Sequence, residues 1–289
     1  MGNAPVIKVQ IKVIRPIQEV WSLWTDPMHV IKWNAPSADW HTTYATNDLR
    51  VGGSFLSRME AKDNSMGFDF AGTYTRVENL SIIEYTIADG RKVKVKFTAD
   101  KDGTLVTEEF EAETENTPEL QQSGWQAILY SFQKYAETKK TELLRFDIII
   151  VAKPELVYQR MLHEKYYKQW TSIFNPSSEY VGSWDKGSMI RFIGVDEKGN
   201  RGGMVSRIRE NIPAKFVSIE HLGIIEGTKE IMSGPKIEDW KGALENYVFM
   251  THGVQTKLEV CLESNEEFKA YFSESWPKAL VAIKKLCEN

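Results

Sequence analysis

Apolar and polar residues alternate strictly near the start of the chain, from Ile7 to Val13. A period of two is typical of a strand with one buried face. From Ile17 to Trp24 the apolar residues instead recur at helical spacing, which predicts a short helix. Asp26-Pro27 then offers an N-cap and a first-turn proline for a second short helix that ends near Trp33. The first segment is therefore predicted to be a strand followed by two short helices.

The next stretch, from about Trp40 to Glu113, predicts several antiparallel strands joined by tight turns. Asp89-Gly90 and Asp102-Gly103 separate alternating runs, which is a strong hairpin signal. Lysines alternate with apolar residues from Lys92 to Phe97. One face of the sheet is therefore predicted to contact water.

A long helix is predicted to follow these strands. Thr117-Pro118 supplies its start, and Trp125, Leu129 and Phe132 then lie on one face. A sheet that curves around such a helix buries the apolar face of the helix, yet its open end can leave a cavity between them.

The second half of the chain repeats this pattern. The spacing from Val20 to Trp33 equals that from Val157 to Trp170, and the other elements follow in the same order. Self-similarity over this length indicates a tandem duplication. We predict an α+β fold of two tandem domains, residues 1–138 and 143–289, each a curved antiparallel sheet wrapped around a long C-terminal helix.

The two copies differ in two places. An insertion of about residues 224–245 stands where the first copy has the Asp89-Gly90 turn, and Trp276-Pro277 places a proline in the region of the last helix. Because proline breaks the helical hydrogen-bond ladder, that helix is predicted to begin or kink there. We also expect the insertion to cover the second cavity, so that the first domain holds the more open pocket.

The residues of the first copy resemble a known family. The resemblance is carried by Pro16-x-x-x-Val20-Trp21, by Gly52-Gly53-Ser54-Phe55 and by Gly124-Trp125. These motifs are similar to the START-like helix-grip (SRPBCC) superfamily, in the branch of activators of the heat-shock chaperone ATPase and polyketide-cyclase-like domains. The resemblance implies a cavity between sheet and helix that binds lipids, sterols, polyketides or other apolar compounds. It also implies that a few members are cyclases or hydrolases.

The chaperone activators of this branch carry a separate N-terminal domain with its own contact motif. This chain enters the first copy directly after Met1. We therefore expect the main chaperone-docking element to be absent, which weakens a co-chaperone interpretation.

The large aromatic residues are the main candidates for a ligand pocket, and the alternative is that they fill the core. The predicted ligand-binding residues are Trp33, Trp40, Phe55, Phe68, Phe70, Tyr74, Arg76, Tyr85, Trp125, Leu129, Phe132, Trp170, Arg207 and Trp276.

Arg76 and Arg207 occupy equivalent places in the two copies. An inward-facing guanidinium would bind a ligand carboxylate through two hydrogen bonds. The alternative is a solvated strand residue whose stem covers apolar surface. Glu84 and His221 are weaker candidates for polar contacts with a ligand.

Composition narrows the function further. A net charge of -4 over 289 residues provides no basic field for nucleic acid. The chain shows no signal-peptide pattern and no apolar stretch long enough to span a membrane. We therefore expect a cytoplasmic protein. The histidines and the two cysteines have no metal-ligand spacing, so we expect no metal, no cofactor and no catalytic residue of a known motif.

These observations predict a non-catalytic protein that binds a small hydrophobic or amphipathic molecule in the cavity between sheet and C-terminal helix. One alternative is a protein-interaction module with a chaperone or similar protein partner. The other is a cyclase or hydrolase that acts on an apolar substrate. An open cavity that contains a histidine or carboxylate would favour the enzyme, and a collapsed cavity with an exposed apolar patch would favour the protein partner.

Overall fold

The computed structural model describes residues 5–288, which divide into two compact units between Lys139 and Lys140. Each unit has its own antiparallel sheet and its own hydrophobic core. The α+β fold of two helix-grip domains is confirmed.

The first unit contains a seven-stranded sheet in the order β1-β7-β6-β5-β4-β3-β2. Its strands are β1 (Val6–Val13), β2 (Trp40–Asn47), β3 (Ser54–Ala61), β4 (Gly67–Glu78), β5 (Ile82–Ile87), β6 (Lys92–Asp100) and β7 (Gly103–Glu111). Its helices are α1 (Ile17–Thr25), α2 (Pro27–Trp33) and α3 (Pro118–Thr138).

Local sequence explains where these helices begin. The Asp26 side chain accepts a hydrogen bond from the backbone N–H of Met28, and Pro27 occupies the first turn of α2. The Thr117 side chain accepts from the backbone N–H of Leu120 in the same way at the start of α3. Both predicted helix starts are confirmed.

The sheet buries one face against α3. Apolar residues of β1 are buried at every second position, and β7, which pairs with β1, shows the same alternation. Leu129 and Phe132 of α3 are fully buried against this surface. On β6 the apolar side chains between Lys92 and Phe97 are buried while Lys92 and Lys96 remain exposed, as predicted.

The second unit is built in the same order. Its main sheet runs β8-β15-β14-β12-β11-β10-β9, and β13 pairs only with β12. The strands are β8 (Glu142–Ile150), β9 (Glu179–Gly182), β10 (Met189–Val195), β11 (Arg201–Ile212), β12 (Phe216–Glu226), β13 (Lys229–Ile231), β14 (Leu244–His252) and β15 (Gln255–Ser264). The helices are α4 (Pro154–Leu162), α5 (Glu164–Thr171) and α6 (Glu266–Glu288).

The last helix departs from the sequence prediction. Helix α6 begins at Glu266 and continues past Trp276, so Pro277 lies inside it. Of the two predicted alternatives, a helix that begins at Trp276-Pro277 is wrong, and a kink there stays a prediction. Phe272, Trp276 and Leu280 all pack against the core of the unit, and this packing holds the turns on both sides of Pro277 in helical form.

Candidate functional site

The first unit contains a cavity of about 380 Å³ between the concave face of its sheet and the N-terminal half of α3. Cavities of this size hold small organic molecules. Eight aromatic rings line it, and they belong to Trp24, Trp33, Phe55, Phe68, Phe70, Tyr74, Tyr85 and Trp125.

Neighbouring rings fix the positions of these aromatic side chains. Phe55 lies at the centre of the sheet side, with its centroid 4.9 Å from that of Tyr85 and 5.4 Å from that of Tyr74. On the helix side, Trp125 stacks on Phe110 at 4.0 Å. These ring contacts hold the side chains of the wall in place.

Glu108 is the buried acidic group of this cavity, with a fractional exposure of 4%. It lies on β7 between Val106 and Phe110, at a position that the strand's alternation turns toward the concave face. The Tyr85 hydroxyl donates a hydrogen bond to its Oε1 at 3.4 Å. Burial raises the pKa of Glu108 to about 8. At neutral pH the group is therefore mainly a carboxylic acid, which both donates and accepts hydrogen bonds.

A second polar pair lies at the other side of the same cavity. The Tyr74 hydroxyl donates to Asn47 Oδ1 at 2.7 Å, and Asn47 Nδ2 donates to the carbonyl of Thr25 at 2.5 Å. Burial raises the pKa of Tyr74, so its phenol stays neutral. These groups are satisfied by one another, which leaves Glu108 as the better partner for a ligand.

The second unit contains a cavity of about 650 Å³ in the corresponding place. Trp170, Phe174, Phe192, Tyr247, Phe272 and Trp276 contribute rings to its wall. The insertion contributes Pro235, Lys236, Asp239 and Trp240.

The second cavity is the larger one, so the prediction that the first domain holds the more open pocket is wrong. The insertion forms one wall of the cavity and does not fill it. The sheet side also differs. In the first unit it carries the rings of Phe55, Phe70, Tyr74 and Tyr85. In the second, the sheet side includes smaller groups such as Met204 and Ile224.

Three polar side chains form a row across adjacent strands on the concave face of the second sheet. The hydroxyl of Ser206 on β11 lies 3.0 Å from His221 Nδ1 on β12. His221 Nε2 lies 3.5 Å from Glu245 Oε2 on β14. Glu245 Oε1 accepts a further hydrogen bond from the Tyr247 hydroxyl. His221 and Glu245 both line the cavity.

The structure brings most of the residues predicted from sequence to the two cavities. Trp33, Phe55, Phe68, Phe70, Tyr74, Tyr85 and Trp125 line the first, and Trp170 and Trp276 line the second. Leu129 and Phe132 lie farther along α3 and belong to the core. Trp40 contacts Phe68, with ring centroids 5.9 Å apart, but does not line the cavity.

Arg76 and Arg207 lie on the exposed side of their strands. Arg76 forms ion pairs with Glu78 and Glu84, and Arg207 forms one with Glu220. Arg76 faces water because a β-bulge lies between Tyr74 and Arg76. The bulge reverses the alternation of the strand, so that Tyr74 faces the cavity and Arg76 does not. Both arginines are therefore solvated strand residues and do not face a ligand in the cavity.

Sequence reasoning missed Glu108 and Glu245. The sequence did carry a signal for Glu108. Val106 and Phe110, two residues before and two residues after it, are apolar, and this alternation places Glu108 on the buried face of β7. For Glu245 the pattern was weaker, since it stands at the end of the insertion and next to the start of β14. Both carboxyl groups accept a hydrogen bond from a tyrosine, Tyr85 and Tyr247 respectively.

The sequence of the first unit matches a known protein family. The family model for "Activator of Hsp90 ATPase homolog 1-like protein" matches residues 15–137. An AHSA1-like protein from Aeromonas hydrophila is 47% identical over 45% of this chain and 91% of its own, with a TM-score of 0.44. The chain belongs to the AHSA1-like family. A protein from Cytophaga hutchinsonii is 50% identical to this AHSA1-like chain. The match covers 46% of the AHSA1-like chain and 92% of the Cytophaga protein, with a TM-score of 0.42.

A likeness over the whole length comes from a di-domain protein. The di-domain ARO/CYC StfQ from the steffimycin biosynthetic pathway is 12% identical over 98% of both chains, with a TM-score of 0.57. At this identity the likeness shows the shared fold alone. None of the curated proteins matches this AHSA1-like chain.

Two further properties of the AHSA1-like chain concern its described part. Within residues 5–288, no helix is both long and apolar enough to cross a membrane. The same residues contain no group of three or more His, Cys, Asp or Glu side chains placed to hold a metal ion.

Proposed function

We propose that this AHSA1-like chain binds a small hydrophobic or amphipathic molecule in the cavity between sheet and C-terminal helix. The observation that supports this most directly is the open first cavity of about 380 Å³, whose wall includes eight aromatic rings. Burying apolar ligand surface there stabilises the complex by about 25 cal/mol per Å².

In this proposal Glu108 orients the ligand in the cavity. Its protonated carboxyl donates a hydrogen bond to a carbonyl or hydroxyl oxygen of the ligand, and the Tyr85 hydroxyl holds the acid in place. A ligand with one such oxygen at the end of an apolar body fits the arrangement.

Native mass spectrometry of the purified full chain tests the proposal. We expect a bound small molecule that is released on denaturation, or, after stripping, uptake of the neutral dye Nile red with saturable fluorescence. A protein that carries no small molecule and binds no dye would contradict the proposal.

The two open cavities also support ligand binding over the protein-partner alternative, for which a collapsed cavity was expected.

A second candidate function, catalysis on an apolar substrate, is favoured by one observation. The pKa of Glu108 is raised to about 8, and a carboxyl group that titrates near neutrality in a cavity is suited to general acid–base catalysis. The test is the mass of a ligand recovered after incubation with the protein. Catalysis would be supported if the ligand changes in mass or isomer, and if Glu108→Gln abolishes this change while Nile red binding persists. An unchanged ligand supports binding alone.

A further inference from the structure

The second cavity contains the carboxyl group of Glu245. Glu245 lies on the concave face of β14, and 17% of its side chain is exposed. Its oxygens contact the Tyr247 hydroxyl and His221 Nε2. Among residues 5–288, no lysine or arginine forms an ion pair with Glu245. Among these residues, the imidazole of His221 is its only basic contact.

The charged side chains at the rim do not supply the missing positive charge. The ammonium of Lys236 lies 2.6 Å from Glu226 Oε1, and that of Lys140 lies 2.6 Å from Asp239. Glu267 lines the same cavity and is exposed. A ligand anion would thus meet carboxylates of the same sign, whereas a cation would meet opposite charge.

Aromatic rings line the cavity that contains Glu245. The centroid of Trp276 lies 6.1 Å from that of Tyr247, 5.8 Å from that of Trp170 and 5.1 Å from that of Phe174. Burial raises the pKa of the Tyr247 phenol, and the charge of Glu245 raises it further. The phenol therefore stays neutral. Neutral aromatic rings present negative faces, which attract organic cations.

The carboxyl group of Glu245 and the faces of the aromatic rings both attract positive charge. We propose that the second cavity binds a small organic ammonium ion, with its charged group beside Glu245 and its apolar part against Phe174, Trp240 and Phe272. This inference rests on the proposed function, because it names the ligand class of one of the two cavities. The first cavity differs, since Arg91 is one of the residues that line it.

A matched pair of probes tests the role of charge in the full chain. One is 4-phenylbutyltrimethylammonium, and the other is the tertiary alcohol in which C(CH₃)₂OH replaces the trimethylammonium group. Fluorine NMR of the 5-fluorotryptophan-labelled protein locates each probe, with resonances assigned by single Trp→Phe variants. We expect the cation to shift the resonances of Trp170, Trp240 and Trp276, and to bind at least about tenfold more tightly than the alcohol.

Two variants that each remove one negative charge provide the matched control. Glu245→Gln should weaken the cation at least about tenfold and leave the affinity of the alcohol nearly unchanged. Glu197→Gln removes an exposed charge that does not line the cavity, and should change the affinity of the cation by less than about twofold. Thermal unfolding checks that both variants fold. If Glu245→Gln does not fold, the comparison of the two probes on the parent protein decides.

The outcomes separate this inference from the function on which it rests. Equal affinity for both probes at the second cavity would overturn the cation proposal and leave apolar ligand binding intact. Binding of the cation only near Trp33 and Trp125 would also overturn it. Binding of neither probe at either cavity would contradict the proposed function itself.

A cation of this kind has two sources, a free ammonium compound or the headgroup of a choline lipid. A short-chain lysophosphatidylcholine, used below its critical micelle concentration, distinguishes them. We expect it to bind more weakly than the simple cation, because its phosphate would approach Glu245 and Glu267. Binding at least as tight as that of the simple cation would assign the lipid headgroup as the source.

Discussion

The indole of Trp125 stacks on the ring of Phe110, with their centroids 4.0 Å apart and their planes at 13°. Trp125 also lines the first cavity, where it is only partly buried. We expect Trp125→Ala to lower the free energy of unfolding by about 1–2 kcal/mol, because one ring stack and part of the ring's buried area are lost. Nile red affinity should fall at least about fivefold. Chemical denaturation and fluorescence titration measure the two effects.

Phe132 provides the comparison, since it lies on the same helix and is fully buried. Phe132→Ala should cost about 3–5 kcal/mol of unfolding free energy, because it leaves a void in packed surroundings. If Trp125→Ala costs as much as Phe132→Ala and does not affect dye binding, then Trp125 is a core residue and the cavity wall is wrongly assigned.

The stability of the first unit should depend on pH through Glu108. Its pKa is raised from 4.5 to about 8 in the folded protein. Between these values the folded protein holds a proton that the unfolded chain has lost, so the free energy of unfolding falls as pH rises. This contribution is complete below the unfolded pKa and is lost by about pH 8, with a slope of about 1.4 kcal/mol per pH unit. Urea denaturation at several pH values measures the slope.

Glu108→Gln should remove this slope and stabilise the protein at about pH 8, because a neutral amide replaces a carboxylate that is buried at high pH. Glu109→Gln is the matched control, since Glu109 lies on the opposite face of β7. It should leave the slope unchanged. A slope that survives Glu108→Gln would show that another group binds the proton.

Local patterns were sufficient to predict most of the fold. Alternation predicted β1 and β6, and the Asp-Pro and Thr-Pro pairs predicted the starts of α2 and α3. Pro277 was the exception. Its isolated preference against helix is overridden by the packing of buried residues on both sides of it, which the sequence near the proline does not show.

The site was predictable in its aromatic part and not in its polar part. Rings at buried positions of neighbouring strands necessarily face the same side, which is why Phe55, Tyr74 and Tyr85 were found. The direction of Arg76 depends on a bulge, and no local residue type fixes where a bulge lies. The size of the second cavity depends on how an insertion folds back, which is a long-range property.

Filling the first cavity should separate ligand binding from stability. Ala45 is buried on β2 and lines the cavity, so Ala45→Leu places added carbon atoms in empty space. We expect unfolding free energy to stay within about 1 kcal/mol of the parent, while Nile red affinity falls at least about tenfold. Ala136→Leu, in the packed core of α3, should instead cost about 1–3 kcal/mol through overpacking. Unchanged dye binding by Ala45→Leu would place the dye elsewhere.

Pro277 should limit the stability of the second unit. It lies inside α6 and is exposed, while Trp276 and Ala279 beside it are buried. Because proline has no backbone N–H, the carbonyl of Ser273 lacks its helical donor. We expect Pro277→Ala to raise the free energy of unfolding by about 1–3 kcal/mol, measured by urea denaturation. Lys278→Ala, an exposed change in the same turn, should stay within about 0.5 kcal/mol. A loss of stability in Pro277→Ala would mean that the packing of Trp276 requires the local geometry that proline imposes, and that this packing outweighs the missing hydrogen bond.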